Sequence, residues 1–187
     1  GHRTIHALDV MTAHNRLRSP ERRDLLAELL TLAPGATVET ARDGYLSLRL
    51  PGPEASAALR FYYYPYPLAA PLEELEGLPV VSALDLGLMK LGAIISRGTR
   101  RDFLDLYLLC RHLPLPTLLA AAEDKFGHVR DFPLQALKGL ADVPAETEPL
   151  PRVTPPVDWP EVEAWLAGPV RALARERLGL GSGEERP

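Results

Sequence analysis

The stretch that decides the fold is Val81–Arg111, VSALDLGLMKLGAIISRGTRRDFLDLYLLCR. It reads as two helices meeting at a tight, basic corner. Ser82 and Asp85 have the S-x-x-D spacing of a capping box, in which the hydroxyl takes an orphan N–H and the carboxylate reaches back toward the cap. Leu84, Leu88, Leu91 and Ile95 recur at helical spacing and predict one buried face. Gly98 ends this helix, and Thr99 with Asp102 opens the next by the same capping logic. Phe103, Leu106, Leu109 and Cys110 supply the second helix's apolar face. Lys90 interrupts an apolar helix, so it must snorkel, pair with a carboxylate or meet a ligand's negative charge. Arg97, Arg100, Arg101, Asp102 and Asp105 crowd the corner. Such a corner can hold a triphosphate, and it can equally be a solvated helix junction. Asp102 doubles as a helix cap; Asp105, one turn on and on the same face, has no capping role.

Outward from this pair, the N-terminal part reads differently. Residues 5–12 suit a short strand with Asp9 near its end. Ser19-Pro20 starts a helix with Leu25, Leu26, Leu29 and Leu30 toward a core, and Pro34-Gly35 ends it. Thr37–Thr40 and Tyr45–Leu50 flank Asp43-Gly44, a favoured hairpin turn, with Leu46, Leu48 and Leu50 on one face. Ala57–Tyr64 is a further strand-like run, closed by the prolines of Tyr64-Pro65-Tyr66-Pro67. The expectation is a strand, a helix and a short antiparallel meander over residues 1–80. A helical region follows over 81–178 and a disordered tail over 179–187, giving an α+β chain. In the second half, helices are predicted over Thr117–Lys125 and Leu134–Leu140. An extended linker with five prolines follows over 142–157, and then a last helix capped by Asp158 and Glu161.

The 187 residues suffice for one ordinary core or a domain with a helical extension. With 46% apolar and 25% charged residues and a net charge of −4, the balance is that of a soluble globular protein with no global basic field for nucleic acid. The single cysteine, Cys110, cannot form an internal disulfide and reads as a core residue of a cytoplasmic chain. No apolar run is long enough to cross a membrane. Metal-ligand spacings of His and Cys, P-loops, G-x-G-x-x-G and G-x-S-x-G are all missing from the sequence. His2 and His6 near Asp9 read as incidental, and the FYYYPYP run as a packed strand end.

The residues YPYPLAAPLEELEGLPVVSALDLGLMKLGAIISRGTRRDFLDLYLLCR (64–111) resemble the AbiEii/AbiGii-type nucleotidyltransferase toxin family. The later KFG and PLPRVTPPVDWPEVEAWL segments are similar to its C-terminal half. The combination of aliphatic-Asp-Leu-x-x-x-Lys with Arg-Gly-x-x-Arg-Asp-Phe-x-Asp-Leu-Tyr is the specific part. The resemblance implies a polymerase-β-like nucleotidyltransferase sheet, incomplete at its N-terminus, followed by a helical half. It further implies toxins of toxin–antitoxin or phage-defence systems that bind nucleoside triphosphates with magnesium, some transferring nucleotides to tRNA, each paired with an antitoxin. On this resemblance Lys90 matches the phosphate-contacting lysine, and Asp105 or Asp102 the late active-site aspartate. Arg97 and Arg101 are candidate phosphate or RNA contacts.

The chain also departs from the family. It opens at Gly1-His2-Arg3, without the Gly-Gly-Ser/Thr turn, as a truncated copy would. Ile5 replaces a small hydroxyl residue, and Ala7 stands where the first metal-binding aspartate belongs. Asp9 alone remains as a magnesium ligand, and one carboxylate holds a second ion weakly. The alternative is a degenerate remnant that only binds nucleotide, RNA or protein.

Overall fold

The computed structural model describes residues 7–53, 55–144, 149–177 and 179. Gly1-His2-Arg3, Ile5 and His6 lie outside them, as does the tail apart from Gly179. The architecture is α+β. Contacts divide the described chain into two compact units, one running to Pro67 and the other beginning at Leu68.

The first unit is a mixed four-stranded sheet with one helix. Strand β1 (Ala7–Thr12) leads to helix α1 (Ser19–Leu32), whose Pro20 sits in the first turn where its missing N–H costs nothing. Strands β2 (Thr37–Arg42) and β3 (Tyr45–Leu50) form the expected hairpin around Asp43-Gly44, and Gly44 takes the left-handed backbone at φ 72°. Strand β4 (Ala57–Tyr63) pairs antiparallel with β3. It also pairs parallel with β1, so the sheet order is β1-β4-β3-β2. The antiparallel meander thus comprises β2 to β4, and β1 joins it by a crossover.

Burial explains why these residues choose these elements. Leu46 and Leu48, two apart on β3, are fully buried with Leu17. Leu25, Leu26 and Leu29 of α1, together with Ala36 and Phe61, pack against that cluster. Leu50 is only half-buried, and Leu30 faces outward.

The second unit opens with a short hairpin, β5 (Glu73–Leu75) and β6 (Leu78–Val80), which the sequence reading had placed in no element. Helix α2 (Ala83–Ser96) starts at Ser82, whose hydroxyl accepts from the Asp85 N–H as expected. Its buried face is Asp85, Gly87, Leu88, Leu91 and Ile94. The expected stripe is therefore rotated: Leu84 and Ile95 are half-buried, because the buried Asp85 draws its own side of the helix inward. Gly98 (φ 53°) donates to the Ala93 carbonyl and turns the chain. Helix α3 (Arg100–Cys110) then begins at Thr99, which caps the Asp102 N–H.

Phe103, Leu104, Leu106 and Leu108 bury the face of α3, while Leu109 and Cys110 are half-buried. Helices α4 (Leu115–Lys125) and α5 (Phe132–Ala141) pack on α2. Helix α6 (Trp159–Trp165) packs on α3 and runs through a π-helical turn (Leu166–Val170) into α7 (Arg171–Arg177). Asp158 occupies the N-cap of α6 without a side-chain bond, and Glu161 instead accepts from the Tyr107 hydroxyl. No helix among the described residues is long and apolar enough to cross a membrane.

Candidate functional site

Two of the residues the sequence singles out on separate helices meet in space. The Lys90 ammonium, near the middle of α2, lies 2.8 Å from the Asp105 carboxylate and 3.1 Å from that of Asp102, both on α3. Of the three outcomes open to a lysine in an apolar helix, it takes the carboxylate pair. Its side chain keeps 19% of its exposure, whereas Asp102 and Asp105 keep 1% and 5%. The site is a buried acidic floor under a lysine that still reaches the surface.

Asp102 is the most heavily bonded member. Arg97, just past the end of α2, donates Nε to Oδ2 and Nη2 to Oδ1, both at 2.8 Å. This is the bidentate geometry that suits a guanidinium. The Thr99 hydroxyl adds a bond at 2.6 Å. Burial pushes the Asp102 carboxyl up, but the bonds from Arg97 and Thr99 and the charge of Lys90 outweigh it, holding the pKa down at about 2. The aspartate is therefore ionised throughout the physiological range.

The other corner residues divide. Arg97 is 61% exposed on its outer side, and Arg101 is exposed. Arg100 is buried, with its guanidinium 4.3 Å over the Trp159 ring, so its charge faces an aromatic surface within the helical unit.

Asp9 belongs to the first unit. It lies opposite Arg60 in the β1–β4 register, and the two side chains approach to 3.5 Å with 45% of the Asp9 side chain exposed. Ala7 occupies the same strand two residues earlier. Among the described residues no group of three or more His, Cys, Asp and Glu side chains is placed to hold a metal ion. One exposed carboxylate fits contact with a single ion brought by a triphosphate; it does not fit a pair of ions held by the protein.

Sequence reading missed a second buried pair. Asp85 accepts from Lys125 Nζ at 2.7 Å, from the Ala69 and Ala70 N–H groups at 2.9 and 3.1 Å, and from the Ser82 hydroxyl at 2.9 Å. Read as half of a capping box, it is instead a buried hub joining the segment before β5, α2 and α4. A signal was present: Leu118, Ala122 and Lys125 share the α4 face, so Lys125 interrupts an apolar stripe as Lys90 does.

No protein-family model matches the sequence, and a search of curated proteins finds no match. Solved structures do share its fold. JHP933 from Helicobacter pylori superposes with a TM-score of 0.51 at 16% identity, over 95% of this chain and 78% of that one. A second H. pylori protein, described as a "putative nucleotidyltransferase", gives a TM-score of 0.49 at 13% identity, over 97% of this chain and 83% of that one. At such identities the likeness is one of fold.

Proposed function

We propose that the chain is a nucleotidyltransferase of the AbiEii toxin type. It takes a nucleotide from a magnesium-bound nucleoside triphosphate and places it on an acceptor such as tRNA, in the cytoplasm, as the toxin partner of an antitoxin. The observation that carries this reading is the 2.8 Å approach of Lys90 to Asp105, which joins the two residues the family motif singles out on separate helices. Nucleotidyl transfer asks a protein for positioning and charge neutralisation more than for covalent help. Lys90 would neutralise the triphosphate, Arg97 and Arg101 would contact phosphate or RNA, and Asp105 would orient the nucleotide or acceptor. Asp9 would meet the ion that accompanies the triphosphate.

Calorimetric titration with each nucleoside triphosphate and magnesium, on the unmutated chain and on Lys90→Ala, tests the site. The expected result is binding that Lys90→Ala weakens at least tenfold while the variant still melts cooperatively. Binding then justifies assaying the transfer of labelled nucleotide to tRNA. A folded chain that binds no triphosphate overturns the enzyme reading.

A second reading rests on Ala7 and on the Asp9–Arg60 contact. With one carboxylate on the strand, and that one facing an arginine, the chain would bind nucleotide, RNA or a partner protein without turning it over. Triphosphate binding without any transfer is the outcome that favours it.

A further inference from the structure

The resemblance leaves open which of Asp102 and Asp105 is the working carboxylate, and the geometry separates them. A carboxylate offers about four acceptor sites. Asp102 fills that capacity within the protein. Lys90 and Arg97 Nη2 donate to Oδ1, and Arg97 Nε and the Thr99 hydroxyl donate to Oδ2. Its side chain is 1% exposed. A ligand or an ion that sought Asp102 would have to displace a bond already made.

Asp102 also lies between the two cations that the proposed site would offer to phosphate. Lys90 comes from within α2, and Arg97 from the residue that ends it. Both side chains are long and costly to order, yet both converge on this one carboxylate. A guanidinium gripped at two atoms leaves its remaining donors aimed in a fixed direction.

We propose that Asp102 is a positioning residue, which aims the Lys90 ammonium and the Arg97 guanidinium as a fixed pair toward a polyphosphate and leaves Asp105 as the carboxylate that faces the ligand. This inference rests on the reading of the corner as a triphosphate site. It also makes a prediction of opposite sign from simple charge counting. Lys90 and Arg97 balance Asp102 and Asp105, so the cluster is neutral. Neutralising either aspartate adds one positive charge, and on charge alone either change tightens the grip on an anion.

The test is magnesium-free titration with inorganic triphosphate and with ATP, on the unmutated chain, Asp102→Asn and Asp105→Asn. Asp105→Asn is expected to bind about fivefold tighter, because charge is gained and the cations stay aimed. Asp102→Asn is expected to bind about tenfold more weakly despite the same added charge, because two side chains lose their aim. Equal tightening in both variants overturns the proposal. If Asp102→Asn does not fold, Arg97→Lys at its exposed position keeps the charge and loses the two-atom grip. It too is expected to weaken binding about tenfold, and an unchanged affinity overturns the proposal.

A readout without ligand separates this inference from the function it rests on. The Arg97 Nε–H resonance is expected to exchange slowly in the unmutated chain and in Asp105→Asn, and rapidly in Asp102→Asn. Failure of the unmutated chain to bind any triphosphate would remove the proposed function while leaving this pattern readable. An Arg97 Nε–H that exchanges as in an unfolded chain, or stays equally protected in Asp102→Asn, overturns the positioning role whatever binds.

Discussion

Lys125 Nζ lies 2.7 Å from Asp85 Oδ1, and each side chain is 1% exposed, so the two ends of this pair are removed from water together. Burial works to raise the Asp85 pKa. The bonds from Lys125, Ala69, Ser82 and Ala70 outweigh it, and the carboxyl lies below its ordinary value. Removing one partner of such a pair strands the other charge. Lys125→Ala is therefore expected to cost about 3–5 kcal/mol in urea melts at neutral pH. Replacing both by apolar residues, as in Asp85→Leu with Lys125→Met, is not expected to restore stability here. The Ala69 and Ala70 N–H groups would lose their acceptor, at about 1–3 kcal/mol for each buried donor left unpaired. A double variant as stable as the unmutated chain would show that the pair is dispensable.

Acid stability should reveal Asp102. Its folded pKa of about 2 lies below the ordinary 3.8, so between these values the unfolded chain binds the proton and the folded chain does not. The stabilisation is complete above the unfolded value and is lost as pH falls through the folded one. The shift corresponds to about 2 kcal/mol. Stability measured by urea melts from pH 5 to pH 2 should fall more steeply in the unmutated chain than in Asp102→Asn, with the difference gathered below about pH 4. Parallel curves for the two proteins would contradict the depressed value.

Much of the fold lies in local signals. Asp43-Gly44 marks the β2–β3 hairpin, and Ser82, Gly98 and Thr99 mark where α2 ends and α3 begins; each of these works within a few residues of itself. The parallel pairing of β1 with β4 joins residues far apart in the chain, such as Asp9 and Arg60, and no local pattern encodes it. The β5–β6 hairpin escaped reading for another reason. Its strands are three residues each, and its turn uses Glu76 (φ 53°) before Gly77 (φ 80°), where asparagine or aspartate is the usual signal. In the site, residue type marked Lys90 as anomalous. Its pairing with both Asp102 and Asp105 required the α2–α3 corner to be folded. The Asp85–Lys125 hub was hidden because capping already accounted for Asp85.

Two glycines near one end of α2 should respond in opposite directions. A Cβ at Gly92, in the helix interior, meets nothing within 4 Å. Gly92→Ala should stabilise the chain by about 0.5–1 kcal/mol, through helix propensity and a less entropic unfolded state. At Gly98 the backbone is left-handed (φ 53°), and a Cβ would lie 3.2 Å from the Ile94 carbonyl oxygen. Gly98→Ala should destabilise by about 1 kcal/mol. Thermal melts of the two variants decide this. A stabilising Gly98→Ala would mean that the turn between α2 and α3 does not need the left-handed residue.

Cys110 gives a chemical probe of α3. Burial pushes its thiol pKa up to about 12 from 9.0, so at pH 8 almost none of it is thiolate, the form that attacks disulfides and alkylating reagents. In the folded chain at pH 8 its reaction with a coloured aromatic disulfide should be at least a hundredfold slower than in urea. The rate should rise about tenfold per pH unit through the alkaline range until the chain unfolds. Lys125→Ala should speed the reaction at pH 8 if the loss of the buried pair loosens the whole helical unit. If the reaction in the unmutated chain is already as fast as in urea, the end of α3 is open and Cys110 is not shielded in solution.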